Sequence, residues 1–285
     1  MMEYLIHLAI LFSIYAILGI SLNMVVGYTG LLSVTHAAFY GIGAYATAIL
    51  SVTYHWNFFV TILVGMVLAA VISLLIGLVL SRFSGDYYAL ASLGFNIIVY
   101  SIFLNWQNVT RGPLGIPGIE RPGFVGANWQ FLIMVAIFLL AVYGISQFLA
   151  TSSFGRVLKA IREDEQAIQV FGYQTHYYKL VIFIIGAMMA AVAGSLFATY
   201  ITFIDPSTFT LLESIFMLAI VILGGLANNK GAVLGALFLI LLPEILRFVG
   251  FPTDIAAQMR QVVYGVLLVL LMLYRPQGLI GEYEL

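Results

Sequence analysis

Apolar runs separated by short polar breaks occupy almost the whole chain. They cover Tyr4–Val26, Leu31–Val52, Phe58–Leu80, Tyr87–Trp106, Trp129–Ala150, Leu180–Ile201, Leu211–Leu226, Ala232–Phe248 and Val262–Tyr274. Crossing roughly 30 Å of hydrocarbon takes about 20 helical residues. The last three runs are short, so the pattern predicts eight to ten transmembrane segments. Backbone groups in lipid have no water to bond, so each run is expected to be a helix. The expected fold is all-α: a polytopic membrane helix bundle in which residues 1–285 form a single transmembrane domain.

Two stretches interrupt this pattern. Residues 105–128, NWQNVTRGPLGIPGIERPGFVGAN, are too polar and too rich in Gly and Pro for a span, and predict an ordered loop, either a plain connector or a docking surface. The second stretch, within residues 151–179, is a charge-dense island. Its apolar positions Val157, Ile161, Ile168 and Phe171 keep a helical spacing that Asp164 interrupts. That spacing predicts one amphipathic helix, or two short ones, at the membrane surface. Arg156, Lys159 and Arg162 are followed by the acidic cluster Glu163, Asp164 and Glu165. A helix that only binds lipid would avoid such a cluster, so the mixed charge favours a protein partner over the alternative of a solvated loop.

Composition supports the membrane reading. Only 8% of the 285 residues are charged and 63% are hydrophobic, against roughly 25% charged in a soluble domain. The net charge of -1 and the scattered basic residues give no reason to expect nucleic-acid binding. The chain has no cysteine, which excludes disulfides and thiolate metal sites. The first run lacks a basic leader and continues into further spans, so it is expected to be retained.

Basic residues set the expected orientation. With the island in the cytoplasm, Arg82, Arg156, Lys159, Arg162, Lys179, Lys230 and Arg275 share that side, and Arg111, Arg121, Arg247 and Arg260 lie at or near the outer one. The loop at 105–128 is then external, and nine spans would place the N-terminus outside. A re-entrant second segment would move it inside.

Candidate chemistry is sparse. Gly27-Tyr28-Thr29-Gly30 breaks an apolar region near Asn23, Ser33, Thr35 and His36. Transporter substrate sites often use broken helices, so Asn23, Thr35 and His36, together with Asn96, are candidate substrate-pathway residues; the alternative is a simple interfacial turn. Small residues recur at helical spacing in Ala37, Gly41, Ala44 and Ala48, and again in Ala187, Ala190, Gly194 and Ala198. Such stripes let helices approach closely in lipid. Glu213 and Glu244 stand near the ends of apolar runs, where an interfacial position is expected. Asp205-Pro206 reads as a helix-starting turn. His7, His55 and His176 have no companions at metal-ligand spacing, and no catalytic constellation or metal site is expected.

The motifs SLNMVVGYTGLLSVTHAAFYGIGAYATAIL, GDYYALASLGFNIIVYSIFLNW, TRGPLGIPGI, SSFGRVLKAIREDEQAIQVFGYQTHYYKL, PSTFTLLESIFMLAIVILGGLANNKGAVLGA and YRPQGLIG, in this order, resemble LivM-type permeases of branched-chain amino acid ABC importers. The resemblance implies a multi-pass subunit of the cell inner membrane. It would form the path with a LivH-type permease and receive substrate from a periplasmic or lipid-anchored binding protein. Two cytoplasmic ATPase subunits would bind ATP and Mg, because this chain has no phosphate-binding loop of its own and needs no cofactor. Arg156, Lys159, Arg162, Glu163, Asp164, Glu165 and Gly172 would make the ATPase contact. The generic Glu-Ala-Ala signature of such permeases is only approximated by Glu165-Gln166-Ala167 and Gly172. Related permeases also serve systems for urea and short amides. A self-sufficient secondary transporter, with Glu213, Glu244 and His36 as an ion relay, is the reading from a different class. An integral-membrane enzyme lacks support for want of catalytic residues.

Overall fold

The computed structural model describes residues 2–83, 85–123, 125–248, 262, 265, 266, 269 and 277–280. Most of the run expected at Val262–Tyr274 lies outside the described residues, as do Arg260 and Arg275. The described part is almost wholly helical, in keeping with the apolar runs. Six long helices suit membrane crossing: α1 (Met2–Thr29), α2 (His36–Tyr54), α3 (Phe58–Leu80), α4 (Asp86–Asn105), α6 (Asn128–Thr151) and α9 (Thr175–Ile201), with the four-residue α5 (Gln107–Thr110) preceding α6. The island forms α7 (Ser153–Glu163) and α8 (Glu165–Val170).

The runs expected at 211–226 and 232–248 are not two separate crossings. They form α10 (Leu211–Gly224) and α11 (Asn229–Phe248), bent by 119° at a four-residue break, so together they make one broken span or a re-entrant pair. Fourteen residues in α10 reach only about 21 Å at 1.5 Å per residue, too short for a bilayer. Among the described residues the count is therefore six spans, or up to seven with this pair.

Helix α9 is central and packs on α1, α2 and α3. Close approach depends on small residues at its seams. A Cβ on Gly194 would lie 1.9 Å from the Tyr40 carbonyl oxygen, and one on Gly43 would lie 2.1 Å from that of Ala191. Ser195 bridges the same seam by donating to the Gly43 carbonyl at 3.2 Å. By contrast, α3 and α4 splay apart and leave an apolar groove of about 680 Å³, lined by Ile72, Ile76, Phe95, Ile98 and Ile102 among others.

The two ends of the bundle are marked by polar contacts. At one end, two-residue strands β1 (Ile116–Pro117) and β2 (Phe203–Ile204) pair antiparallel and tie the loop at 105–128 to the chain beyond α9. Arg121 donates to Asn128 Oδ1 and to the Tyr200 carbonyl, each at 3.0 Å, and stacks over the Phe131 and Tyr200 rings. Asn128 in turn donates to Glu3 at 2.9 Å, which fixes the start of α1 at this loop end. At the other end, Arg162 of the island donates to the Gly27 carbonyl, which fixes the last turn of α1 there.

Candidate translocation site

Two helices of the bundle start inside it. Helix α1 has 28 residues and spans about 42 Å, so Tyr15 lies at its middle. The Tyr15 hydroxyl donates to Glu213 Oε1 at 2.6 Å. Glu213 is in the first turn of α10, so that turn sits at mid-depth. The interfacial position expected for Glu213 is corrected: run length alone suggested a membrane-surface end, whereas α10 is a half-helix that begins deep in the bundle. The next residue, Ser214, accepts at Oγ from the Ala37 backbone N–H of α2 at 3.0 Å. The first turns of α2 and α10 therefore meet at the same level.

The chain between α1 and α2 is non-helical from Gly30 to Thr35. The break falls later than the Gly27–Gly30 motif suggested, because Gly27, Tyr28 and Thr29 continue α1 and only Gly30 leaves it, at φ +71°. Gly27 is needed there because a Cβ would lie 2.6 Å from the Ala227 amide nitrogen. The segment 30–35 returns from the island end to mid-depth as irregular backbone. In lipid such backbone must be buried in protein or line a wet cavity. Here it is held by side chains: the Val34 amide donates to Ser92 Oγ of α4 at 3.2 Å, and Ser33 and Thr35 share a 3.0 Å hydroxyl contact.

Several buried polar groups gather around these two helix starts. His36 is fully buried beside the Ser21 carbonyl, and neither ring nitrogen is in hydrogen-bond geometry. Tyr40, one turn along α2, buries an unpartnered hydroxyl within electrostatic reach of Tyr15 and Glu213. Asn96, one turn beyond Ser92 on α4, is buried with both amide atoms unpartnered. Unsatisfied buried polar atoms are costly and rare; Tyr45 and Thr47, farther along α2, also bury unpartnered hydroxyls, so His36, Tyr40 and Asn96 are candidates for contact with a polar guest or with water. Helix N-termini in such breaks also present a partial positive charge.

Not every expected pathway residue belongs to this cluster. Asn23 accepts from the Ala227 amide at 3.0 Å and donates to Asn229 at 3.5 Å, so it holds the α10–α11 turn against α1. Sequence reasoning missed Tyr15, Tyr40 and Ser214. Thr210-Leu-Leu-Glu213 matches a capping-box spacing, which marks a helix start, but Thr210 makes no side-chain cap and Glu213 turns to Tyr15 instead.

The small stripe on α2 divides its work. Ala44 faces Gly194 across the α9 seam, Gly41 lies under the Phe103 and Phe209 rings, and Ala37 meets Ser214. Ala48, Ala187 and Ala190 are fully buried. The closest glycine on α2 is Gly43, outside the expected stripe.

The island forms two short helices, as its spacing suggested. Asp164 caps the second by accepting from the Ala167 amide at 3.0 Å, and Ser152 caps the first. On α7 the buried side chains are Leu158 and Ile161, and Phe171 is not packed as the spacing suggested; Phe171 and its neighbour Val170 are 78% and 87% exposed. Two of the three basic residues turn toward α1: Arg162 donates to Gly27 and the Lys159 ammonium lies 5.7 Å from the Tyr28 ring centroid. Arg156 donates to the Thr151 carbonyl at 3.2 Å. Glu165 pairs with Lys179 and accepts from Thr175. Burial pushes the Glu165 carboxyl upward, but the Lys179 and Thr175 bonds outweigh it and hold the group below its ordinary value. Glu163 and Gly172 are exposed.

A many-pass helical bundle with broken helices meeting at mid-depth is an arrangement that membrane transport proteins use. The chain belongs to the family described as branched-chain amino acid transport system / permease component, whose model matches residues 4–272. It is 35% identical to the high-affinity branched-chain amino acid transport system permease protein LivM of Escherichia coli, over 96% of this chain and 69% of that protein. It is 28% identical to the probable branched-chain amino acid transport permease protein LivM of Methanocaldococcus jannaschii, over 95% of this chain and 91% of the relative. The LivH permease protein of Escherichia coli is 27% identical over 95% of this chain and 92% of its own length. No solved structure matches the chain.

Proposed function

We propose that this permease is the LivM-type membrane subunit of an ATP-driven importer for branched-chain amino acids in the cell inner membrane. Its path would be completed by a LivH-type permease, its substrate delivered by a periplasmic or lipid-anchored binding protein, and its work supplied by two cytoplasmic ATPases that bind ATP and Mg. The observation that carries this reading is the family match along nearly the whole chain. The meeting of α2 and α10 at mid-depth supports a path within the membrane, with His36, Asn96 and Glu213 on it.

The island is the proposed ATPase contact. Its exposed apolar tip, Val170 and Phe171, supports this, since such a surface is unfavourable in water unless covered. Arg162 and Lys159 would act by tying the island to α1 rather than by touching the ATPase. Co-purification tests the assignment: Val170→Glu together with Phe171→Glu is expected to abolish ATPase capture, with the bundle still inserted. Undiminished capture by that variant refutes the assignment.

A further inference from the structure

Glu213 is a largely buried carboxyl group at the middle of the bundle that keeps a small exposed part. Its α10 neighbours Leu212 and Ile215 are 61% and 42% exposed. Its hydrogen-bond partner is the neutral Tyr15 hydroxyl, and no salt bridge to it is present among the described residues. Ionisable groups at this depth face a bundle interior or a water-filled cavity and pair with one another or with backbone carbonyls. The side of α10 that carries Leu212 and Ile215 is open in this chain, so a cation for Glu213 would have to come from beyond the described residues.

We propose that Glu213 receives the α-ammonium group of the amino-acid cargo as it passes mid-membrane. This inference rests on the importer reading given above. A zwitterion suits the place in both its charges. Beside Glu213, the first turn of α2 puts the positive end of its helix dipole on the side of the cargo carboxylate, although its Ala37 amide is already bonded to Ser214. The Tyr40 hydroxyl is fully buried, unpartnered and within electrostatic range of Glu213, so it could donate to the cargo only once the site opens. Tyr15 is a positioning residue: its bond to Oε1 orients the carboxylate and leaves Oε2 for the ammonium. A neutral amide such as urea brings no cationic group to Glu213, so an ammonium contact here would favour α-amino acids over amides.

The test is leucine uptake by the assembled importer in vesicles, with Glu213→Gln, Glu213→Asp and Tyr15→Phe compared with wild type. Complex assembly is read by co-purification of the second permease. Glu213→Gln is expected to cut uptake at sub-saturating leucine by about 30-fold, the scale of one hydrogen bond to a charged group. Glu213→Asp, which keeps the charge, recovers most of that loss, and Tyr15→Phe costs less than about 5-fold. Should Glu213→Gln not assemble, the Asp variant decides: retained uptake supports the charge requirement, and loss in an assembled complex overturns it. Wild-type rates from the Gln variant overturn the ammonium contact and leave the importer reading standing. If wild type carries a neutral amide and no amino acid, both fall together.

Discussion

Gly194 and Gly43 lie where α2 and α9 touch backbone to backbone, and their side-chain hydrogens fill the available space. A Cβ at Gly194 would lie 1.9 Å from the Tyr40 carbonyl oxygen. No rotamer relieves a clash with backbone, so the helices must separate. Gly194→Val is expected to destabilise the fold by about 3 kcal/mol, the upper range for overpacking. Gly144→Ala on α6, where a Cβ meets nothing within 4 Å, is expected to change stability by less than about 1 kcal/mol. Thermal unfolding in detergent compares the two; equal midpoints contradict the packing account. Gly194 was legible from its stripe, because small residues at helical spacing have a plain physical use. Tyr15 and Glu213 were not, because a lone tyrosine in an apolar helix carries no pattern, and the depth of Glu213 depends on where α10 starts. That start is a tertiary fact.

Between residue and bundle lies the island, whose helices are joined to the membrane helices by polar contacts and apolar packing. Glu165 links α8 to the base of α9 through Lys179 and Thr175. Its carboxyl is held below its ordinary value of 4.5. A lowered carboxyl stabilises the folded state fully above the unfolded value, and that contribution disappears as pH falls through the folded one. Acidification from pH 7 is therefore expected to leave α8 docked until below about pH 4.5, and to loosen it at lower pH. Hydrogen exchange of residues 165–175 reads this directly, with Glu165→Gln loosened at every pH; unchanged protection in that variant contradicts the clamp. The division of the island into two helices at Asp164 was legible, since Asp is a strong N-cap. The inward turn of Arg162 and Lys159 was not, because charge alone does not say whether a cation faces a partner or a carbonyl of its own chain.

At the scale of the molecule, helices stood out from composition because lipid leaves the backbone no other choice. The six long helices follow the apolar runs closely. The count beyond them did not, since α10 and α11 are apolar enough for spans while their 119° bend makes them arms of one broken element. Bends of this kind are set by packing: the Asn23 bonds at the turn and the Ser214 contact with α2 hold α10 where it is. The same contacts place two helix starts at mid-depth, which turns a packed bundle into a candidate path. Uptake by the importer assembled in vesicles, with binding protein outside and ATP supplied to the ATPases, tests this most directly. The account predicts leucine, isoleucine or valine accumulation that needs both ATP and the binding protein. Accumulation that persists without ATP, driven by a proton gradient alone, would contradict it.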